Sequence, residues 1–241
     1  VTQPDQENDA DTAPNGSPGG FESRLRAATA TPFEGWREVY ESFSPVDLET
    51  GHRRPRTPPP NNGSRRAAVL IPVIPHAGGA HVLYTLRKGH LQDHAGQISF
   101  PGGGMEPSDG SLLETALRET REEVGLPRAE IEILGQLEEM YIPPSDYRVS
   151  PFVGLLPTRA ELALAPEEVE EIFTVPLADL MSGSAFQRVP WSRDGRRYEV
   201  PVFAVDGVTV GGGGTLRRYE IWGATAAMTA GLLCRLGWSP G

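Results

Sequence analysis

Three glutamates, Glu119, Glu122 and Glu123, stand at i, i+3 and i+4 within residues 112–124, LLETALRETREEV. On a helix this spacing sends all three carboxylates out from one side. Carboxylates that close repel one another unless a cation lies between them. Clustered hard oxygen donors suit Mg²⁺ or Mn²⁺, above all when substrate phosphates complete the shell. A solvated acidic face is the competing reading of such a pattern. A metal site is favoured here by the glycine-rich loop just ahead, Pro101-Gly102-Gly103-Gly104, whose backbone can approach the same point.

The helix under these carboxylates has its own signals. Ser111 and Glu114 have the spacing of a capping box, so the helix begins near Leu112. Gly125 is placed to end it in a left-handed conformation. Leu113, Ala116, Leu117, Thr120 and Val124 recur at helical spacing and form a mostly apolar stripe for a core. Arg118 lies one turn from both Glu114 and Glu122 and can pair with either. Glu114, off the three-carboxylate side, is assigned to capping and to Arg118.

Loop and helix together resemble the Nudix box, through Arg118-Glu119, a variable pair, Glu122-Glu123, Val124, Gly125 and Leu126. Counting back from Arg118, the isolated Glu of that box falls at Gly110. The nearest acid is Asp109, which implies a one-residue insertion in the loop. A second stretch runs Leu83-Tyr84-Thr85-Leu86-Arg87-Lys88, then Gly96-Gln97-Ile98-Ser99-Phe100-Pro101-Gly102-Gly103. It resembles the extra signature of the coenzyme A pyrophosphatases, a branch of the same family. Tyr84, Lys88 and Gln92 stand where that signature has Leu, a small residue and Arg.

The resemblance covers about residues 65–236 and implies an α/β/α sandwich with a mixed sheet. It implies a metal set of Glu119, Glu122 and Glu123 holding Mg²⁺ or Mn²⁺, and hydrolysis of a phosphoanhydride in which Glu119, Glu122 and Arg118 take part. With coenzyme A the products are 3′,5′-ADP and 4′-phosphopantetheine. The general base is expected from Glu119 or Glu122, or from Glu168 or Glu171 in the stretch PEEVEEIF. Glu167 and Glu170 read as an ordinary acidic lead-in. On the substrate side, Arg87 can grip a phosphate bidentately, or simply pair with an acid at the surface. Lys88, Gln97, Ser99 and Gly103 join it as candidates, with Gln97 and Ser99 expected to shape the loop first. His90 and His94 lack partners at metal-ligand spacing. Two further readings stay open: another nucleoside diphosphate derivative such as ADP-ribose or a dinucleotide, and a non-catalytic Nudix-fold binding module.

The elements that must position these groups can be read along the chain. At 241 residues the protein can build one sizeable core. Residues 1–20 read as a disordered tail, residues 21–64 as an extension and linker, and residues 65–241 as the catalytic domain. Within the extension a short helix is expected at 21–29, and Trp36, Tyr40 and Phe43 let the next segment pack on the domain. Residues 53–63, rich in Arg, Pro and Asn, read as a linker with solvated arginines. Strands are expected at 67–74 and 80–86 as a hairpin, then at 131–140, 149–156 and 197–205. A short helix is expected at 177–181 and a C-terminal helix at 219–236, with Trp222 and Met228 in its core face. Strands flanking a motif helix and closed by a C-terminal helix suggest a mixed sheet between helical layers.

A net charge of −10 argues against a duplex nucleic-acid partner. It is compatible with a small nucleotide-type substrate, since metals and a few local cations can invert the field in one pocket. Cys234, the single cysteine, forms no internal disulfide and fits a reducing compartment. No apolar run is long enough to span a bilayer and no signal-peptide pattern is present. The expectation is a soluble cytoplasmic protein without a membrane partner, open between monomer and homodimer.

Overall fold

The computed structural model describes residues 18–53, 55–56, 63–77, 79–89, 96–211 and 214–240. Its helices are α1 (Pro18–Ala30), α2 (Trp36–Ser42), α3 (Leu112–Val124), α4 (Leu177–Leu180) and α5 (Gly223–Arg235). Its strands are β1 (Val46–Asp47), β2 (Arg65–His76), β3 (Gly79–Arg87), β4 (Ile98–Ser99), β5 (Gly102–Gly104) and β6 (Glu132–Gln136). They continue with β7 (Met140–Ile142), β8 (Tyr147–Leu155), β9 (Val169–Pro176), β10 (Phe186–Arg193), β11 (Arg196–Thr209) and β12 (Leu216–Trp222).

Among the described residues these strands form one sheet in the order β1-β11-β9-β3-β2-β8-β6, with β10 and β12 on β11, β4 on β3, β5 on β2 and β7 on β8. The sheet is mixed: β2 and β8 run parallel, while β2–β3, β3–β9 and β6–β8 are antiparallel.

Alternation along β2 assigns the two faces. Ala68 and Leu70 join Ala116, Leu117 and Val124 of α3 in one core. Ile71 and Val73 face the other way, into a larger core with Leu25 of α1, Tyr40 of α2, and Met228 and Leu232 of α5. Helices therefore cover both faces, as the α/β/α expectation required. The apolar stripe of α3 glues that helix to the sheet and leaves its carboxylate ridge free to face the β5 loop.

The N-terminal extension belongs to the main core. Leu25, Tyr40 and Phe43 are all buried there, so the aromatic residues do pack this segment onto the sheet. Residues 18–20, expected in the tail, form the start of α1. The rest of the expected tail, residues 1–17, lies outside the described residues, as do Arg54, residues 57–62, His90, Gln92 and His94. Arg56 corrects the reading of solvated linker arginines: it is buried, donating from Nε to Ser44 Oγ at 3.1 Å and from Nη2 to the Phe43 carbonyl at 3.4 Å. The end of α2 leaves carbonyls without helical partners, and a buried one needs a donor.

Several strand assignments differ from expectation. The strand expected at 131–140 is two, β6 and β7, interrupted at residues 137–139 and each paired with β8. Residues 219–222 belong to β12, where Ile221 pairs with Phe203 and Tyr219 with Val205. Gly223, at φ 67, then turns the chain into α5. Tyr219 and Ile221 satisfy a period of two as well as the helical spacing, and pairing with β11 decides between them. Proline disguised β9 and β10. Pro190 is tolerated because β10 pairs with β11 at the sheet margin, and Pro176 ends its strand. The β10–β11 hairpin closes through Asp194 and Gly195, both at positive φ, as a tight two-residue turn demands. No helix among the described residues is long and apolar enough to cross a membrane.

Candidate active site

Helix α3 is fixed at both ends by the expected caps. Ser111 Oγ accepts from the Glu114 N–H at 3.2 Å, and Gly125 closes the helix at φ 74. Glu114 accepts from the Gly110 N–H at 2.8 Å, so its work is local capping.

The glycine loop then meets the ridge at van der Waals limits. A Cβ on Gly103 would lie 2.4 Å from Glu119 Oε1, the mobile end of a side chain. A Cβ on Gly102 would lie 2.4 Å from the Ala68 carbonyl oxygen and 2.6 Å from Val69 Cα, which are backbone atoms of β2. The two substitutions are therefore expected to fail differently. Gly103→Ala should keep its melting temperature and lose turnover as Glu119 is pushed aside. Gly102→Ala should destabilise the fold by roughly 1–3 kcal/mol or more, since backbone cannot rotate away. Parallel melting curves and turnover assays separate the two; a Gly103→Ala enzyme of full activity would contradict the placement of Glu119.

Arg118 is the hub of the ridge. Its Nε and Nη2 grip both oxygens of Asp109 at 3.0 Å each, and Nη2 also donates to the Gly104 carbonyl at 3.2 Å. Its Nη1 reaches Glu119 Oε1 at 2.9 Å and Glu122 Oε2 at 3.0 Å. Of the two partners within one turn, Arg118 thus takes Glu122 and turns away from Glu114. Asp109 also accepts from Thr115 Oγ1 and from the Glu106 N–H, both at 2.9 Å. The Arg118 guanidinium above all holds the Asp109 carboxyl well below the usual carboxylate range. The acid displaced by one residue in the loop is thus the anchor of the arginine that positions two ridge carboxylates.

Glu123 is the buried member, with its side chain 2 % exposed, whereas the Glu122 side chain is 51 % exposed. Burial pushes the Glu123 carboxyl up to about 8, against the pull of Arg87 and with a push from Glu119 and Glu168. Burial likewise raises Glu119, Arg118 opposes that shift, and the charges of Glu122 and Glu168 add to it. Arg87 Nη1 lies 3.2 Å from Glu123 Oε1, and the Gly102 N–H donates to Oε2 at 3.4 Å. The sequence left Arg87 between phosphate and acid; in the structure it pairs with an acid of the box itself.

The other candidates sort by contact. The Lys88 N–H donates to the Glu168 carbonyl at 3.0 Å, which ties the Glu168 segment to the end of β3, and Lys88 itself is partly exposed. Glu171 is engaged elsewhere: it accepts from Arg217 Nη1 at 2.6 Å and from the Tyr219 hydroxyl. The Gln97 carbonyl accepts from the Arg87 N–H at 3.0 Å, and Ser99 Oγ meets Thr85 Oγ1 at 3.0 Å. Both shape the loop.

Among the described residues no three metal-binding side chains converge closely enough to hold an ion as they stand. Arg118 and Arg87 hold the ridge carboxylates in ion pairs of their own. The donor set nonetheless suits a hard divalent cation: Glu119, Glu122 and Glu123 offer only oxygen, and two of them are forced toward neutrality by burial and mutual repulsion. The cradle over Gly103 leaves Glu119 no room for a side chain opposite it.

Comparison with known proteins follows the same line. Residues 64–195 match the NUDIX domain family. A Photorhabdus laumondii protein named uncharacterized Nudix hydrolase NudL is 38 % identical over 174 residues, covering 71 % of this chain and 86 % of that protein. The protein of the same name from Yersinia pestis strain Pestoides F is 39 % identical over 168 residues, covering 68 % and 76 %. Among solved structures, a MutT/nudix family protein from Enterococcus faecalis aligns at a TM-score of 0.48 and 15 % identity, over 90 % of this chain and 73 % of that one. A family match across more than half of the chain, with relatives matched over more than three quarters of their length, establishes that this protein belongs to the Nudix hydrolases, which act on nucleoside diphosphate derivatives with divalent metal ions.

Proposed function

We propose that the protein is a Mg²⁺- or Mn²⁺-dependent pyrophosphohydrolase of coenzyme A or its acyl derivatives, releasing 3′,5′-ADP and the (acyl-)4′-phosphopantetheine. The observation that carries this reading is the meeting of two sequence stretches at one point. The stretch resembling the coenzyme A signature delivers Arg87 to Glu123 at 3.2 Å and Gly103 against Glu119.

In this reading Glu119, Glu122 and Glu123 would hold the ion, which would supply charge neutralisation at phosphate oxygens and a more acidic water. Arg118, braced by Asp109, keeps Glu119 and Glu122 in place. Arg87 takes a phosphate oxygen, and partly exposed Lys88 adds charge beside it. Glu168 receives the proton of the attacking water, because its charge bears on both Glu119 and Glu123 while Glu171 is occupied by Tyr219 and Arg217.

A substrate panel with saturating Mg²⁺ tests the choice. Coenzyme A should exceed its 3′-dephospho form in kcat/KM by about tenfold or more, the value of one charge-assisted phosphate contact. Equal rates on both, or faster cleavage of ADP-ribose or a dinucleotide, would move the assignment to another nucleoside diphosphate derivative.

A further inference from the structure

Arg87 is held firmly by its backbone and loosely by its side chain. Its N–H donates to the Gln97 carbonyl at 3.0 Å, and its own carbonyl accepts from the Gly96 N–H at 3.1 Å. The β3–β9 pairing slips between Leu86 and Arg87, a bulge that re-aims the side chain at that step. Of the five donors on its guanidinium, one makes a contact among the described residues, from Nη1 to Glu123 Oε1 at 3.2 Å. Its Nε is buried and has no partner among the described residues. A buried unsatisfied donor is costly to leave unmade. The fork is shaped for two oxygens and is using one.

The charges explain why it waits there. Glu119 and Glu122 share Arg118, so Glu123 has Arg87 as its counter-charge. A divalent cation on Glu123 would take over that role. Arg87 would then stand beside a cation with nothing to neutralise, and the nearest new anion is the diphosphate that the same cation attracts.

We propose that Arg87 is passed from Glu123 to the substrate's diphosphate when a divalent cation claims Glu123, so that metal and substrate bind cooperatively through this one guanidinium. This rests on the reading of the α3 glutamates as metal ligands. The coupling is reciprocal: each ligand tightens the other by the same factor, typically about 5- to 150-fold.

The test is calorimetric titration of ADP into the full chain at about pH 8.5, above the range in which carboxyls stay protonated, with and without Mg²⁺. Wild type should bind ADP more tightly with Mg²⁺, and Arg87→Gln should lose about tenfold or more of that enhancement. Arg87→Lys, which keeps the charge but not the fork, should restore part of it. In the absence of metal, Glu123→Gln should bind ADP severalfold more tightly than wild type, because Arg87 is released. The double variant Glu123→Gln/Arg87→Gln should lose that gain.

A gain that survives in the double variant is plain relief of negative charge and overturns the proposal. So does an enhancement unchanged in Arg87→Gln. If wild type takes up neither Mg²⁺, titrated alone as a control, nor ADP, the metal-site reading itself fails and the transfer of Arg87 falls with it. If it takes up both but shows no dependence on Arg87, the transfer alone is wrong. Melting curves of each variant, run alongside, separate loss of fold from loss of coupling.

Discussion

Glu122→Gln is expected to lower kcat/KM by more than about 100-fold, because even partners one shell out from a metal cost about 10- to 100-fold when removed. Its melting temperature should stay close to that of wild type. The Glu122 side chain is half exposed, and its contact within the protein is the 3.0 Å bond from Arg118 Nη1, which an amide oxygen can still accept. Surface replacements of this kind usually change stability by about 0.5 kcal/mol or less. What the amide cannot supply is the negative charge that a divalent cation needs from a hard ligand. Activity and stability are thus predicted to part company at this residue. Near-normal turnover by Glu122→Gln would remove it from the metal set.

The second large effect is on stability against pH in the metal-free protein. The Glu123 carboxyl is pushed up to about 8, chiefly by burial, from an ordinary value of 4.5. Between those limits the folded protein keeps a proton that the unfolded chain has released. Stability must therefore fall as pH rises through this window and level off above about pH 8. The direction is opposite to that of Asp109, whose depressed carboxyl costs stability only in acid. His81 is lowered by burial and loses its influence above its ordinary value of 6.5. The cleanest interval is thus about pH 6.5 to 8, where one uncompensated proton is worth on the order of 2 kcal/mol. That corresponds to a fall of roughly 4–8 °C in Tm for a domain of this size. Saturating Mg²⁺ binds the ionised form and should abolish the slope, and Glu123→Gln should lose most of it, the raised Glu119 carboxyl leaving a residual slope of the same sign. A metal-free Tm that holds steady or rises across this interval would contradict the buried placement of Glu123.

Features set within one helix were readable from spacing alone. The carboxylate ridge, the Ser111 cap and the Gly125 stop all follow from a rise and period that α3 shares with every helix, whereas spacing left Arg118 between Glu114 and Glu122 and the structure gave it to Glu122. The β2–β3 hairpin and the aromatic anchors of the extension were readable too. What the chain concealed depends on which elements meet. The contact between Arg87 and Glu123 joins residues 36 apart in sequence, one at the end of β3 and the other on α3. Asp109 looked like a displaced acid until the loop folded it onto Nε and Nη2 of Arg118. Arg56 looked solvated because nothing in its neighbours announces that the end of α2 is buried. Residues 219–222 fit either period, and a partner strand rather than a local preference settled the matter. Spacing did not separate Asp109 from Glu106, which also comes within 3.9 Å of Arg118; the fold of the loop did.

Turnover requires Glu119, Glu122 and Glu123 to take a divalent cation from solution. Titration of Mn²⁺ into the metal-free protein, followed by electron paramagnetic resonance, addresses that with no substrate present. Wild type should deplete the free Mn²⁺ signal saturably, and Glu122→Gln should weaken that uptake by more than about tenfold. Free Mn²⁺ that tracks the added amount in wild type, or uptake by Glu122→Gln equal to wild type, would contradict it.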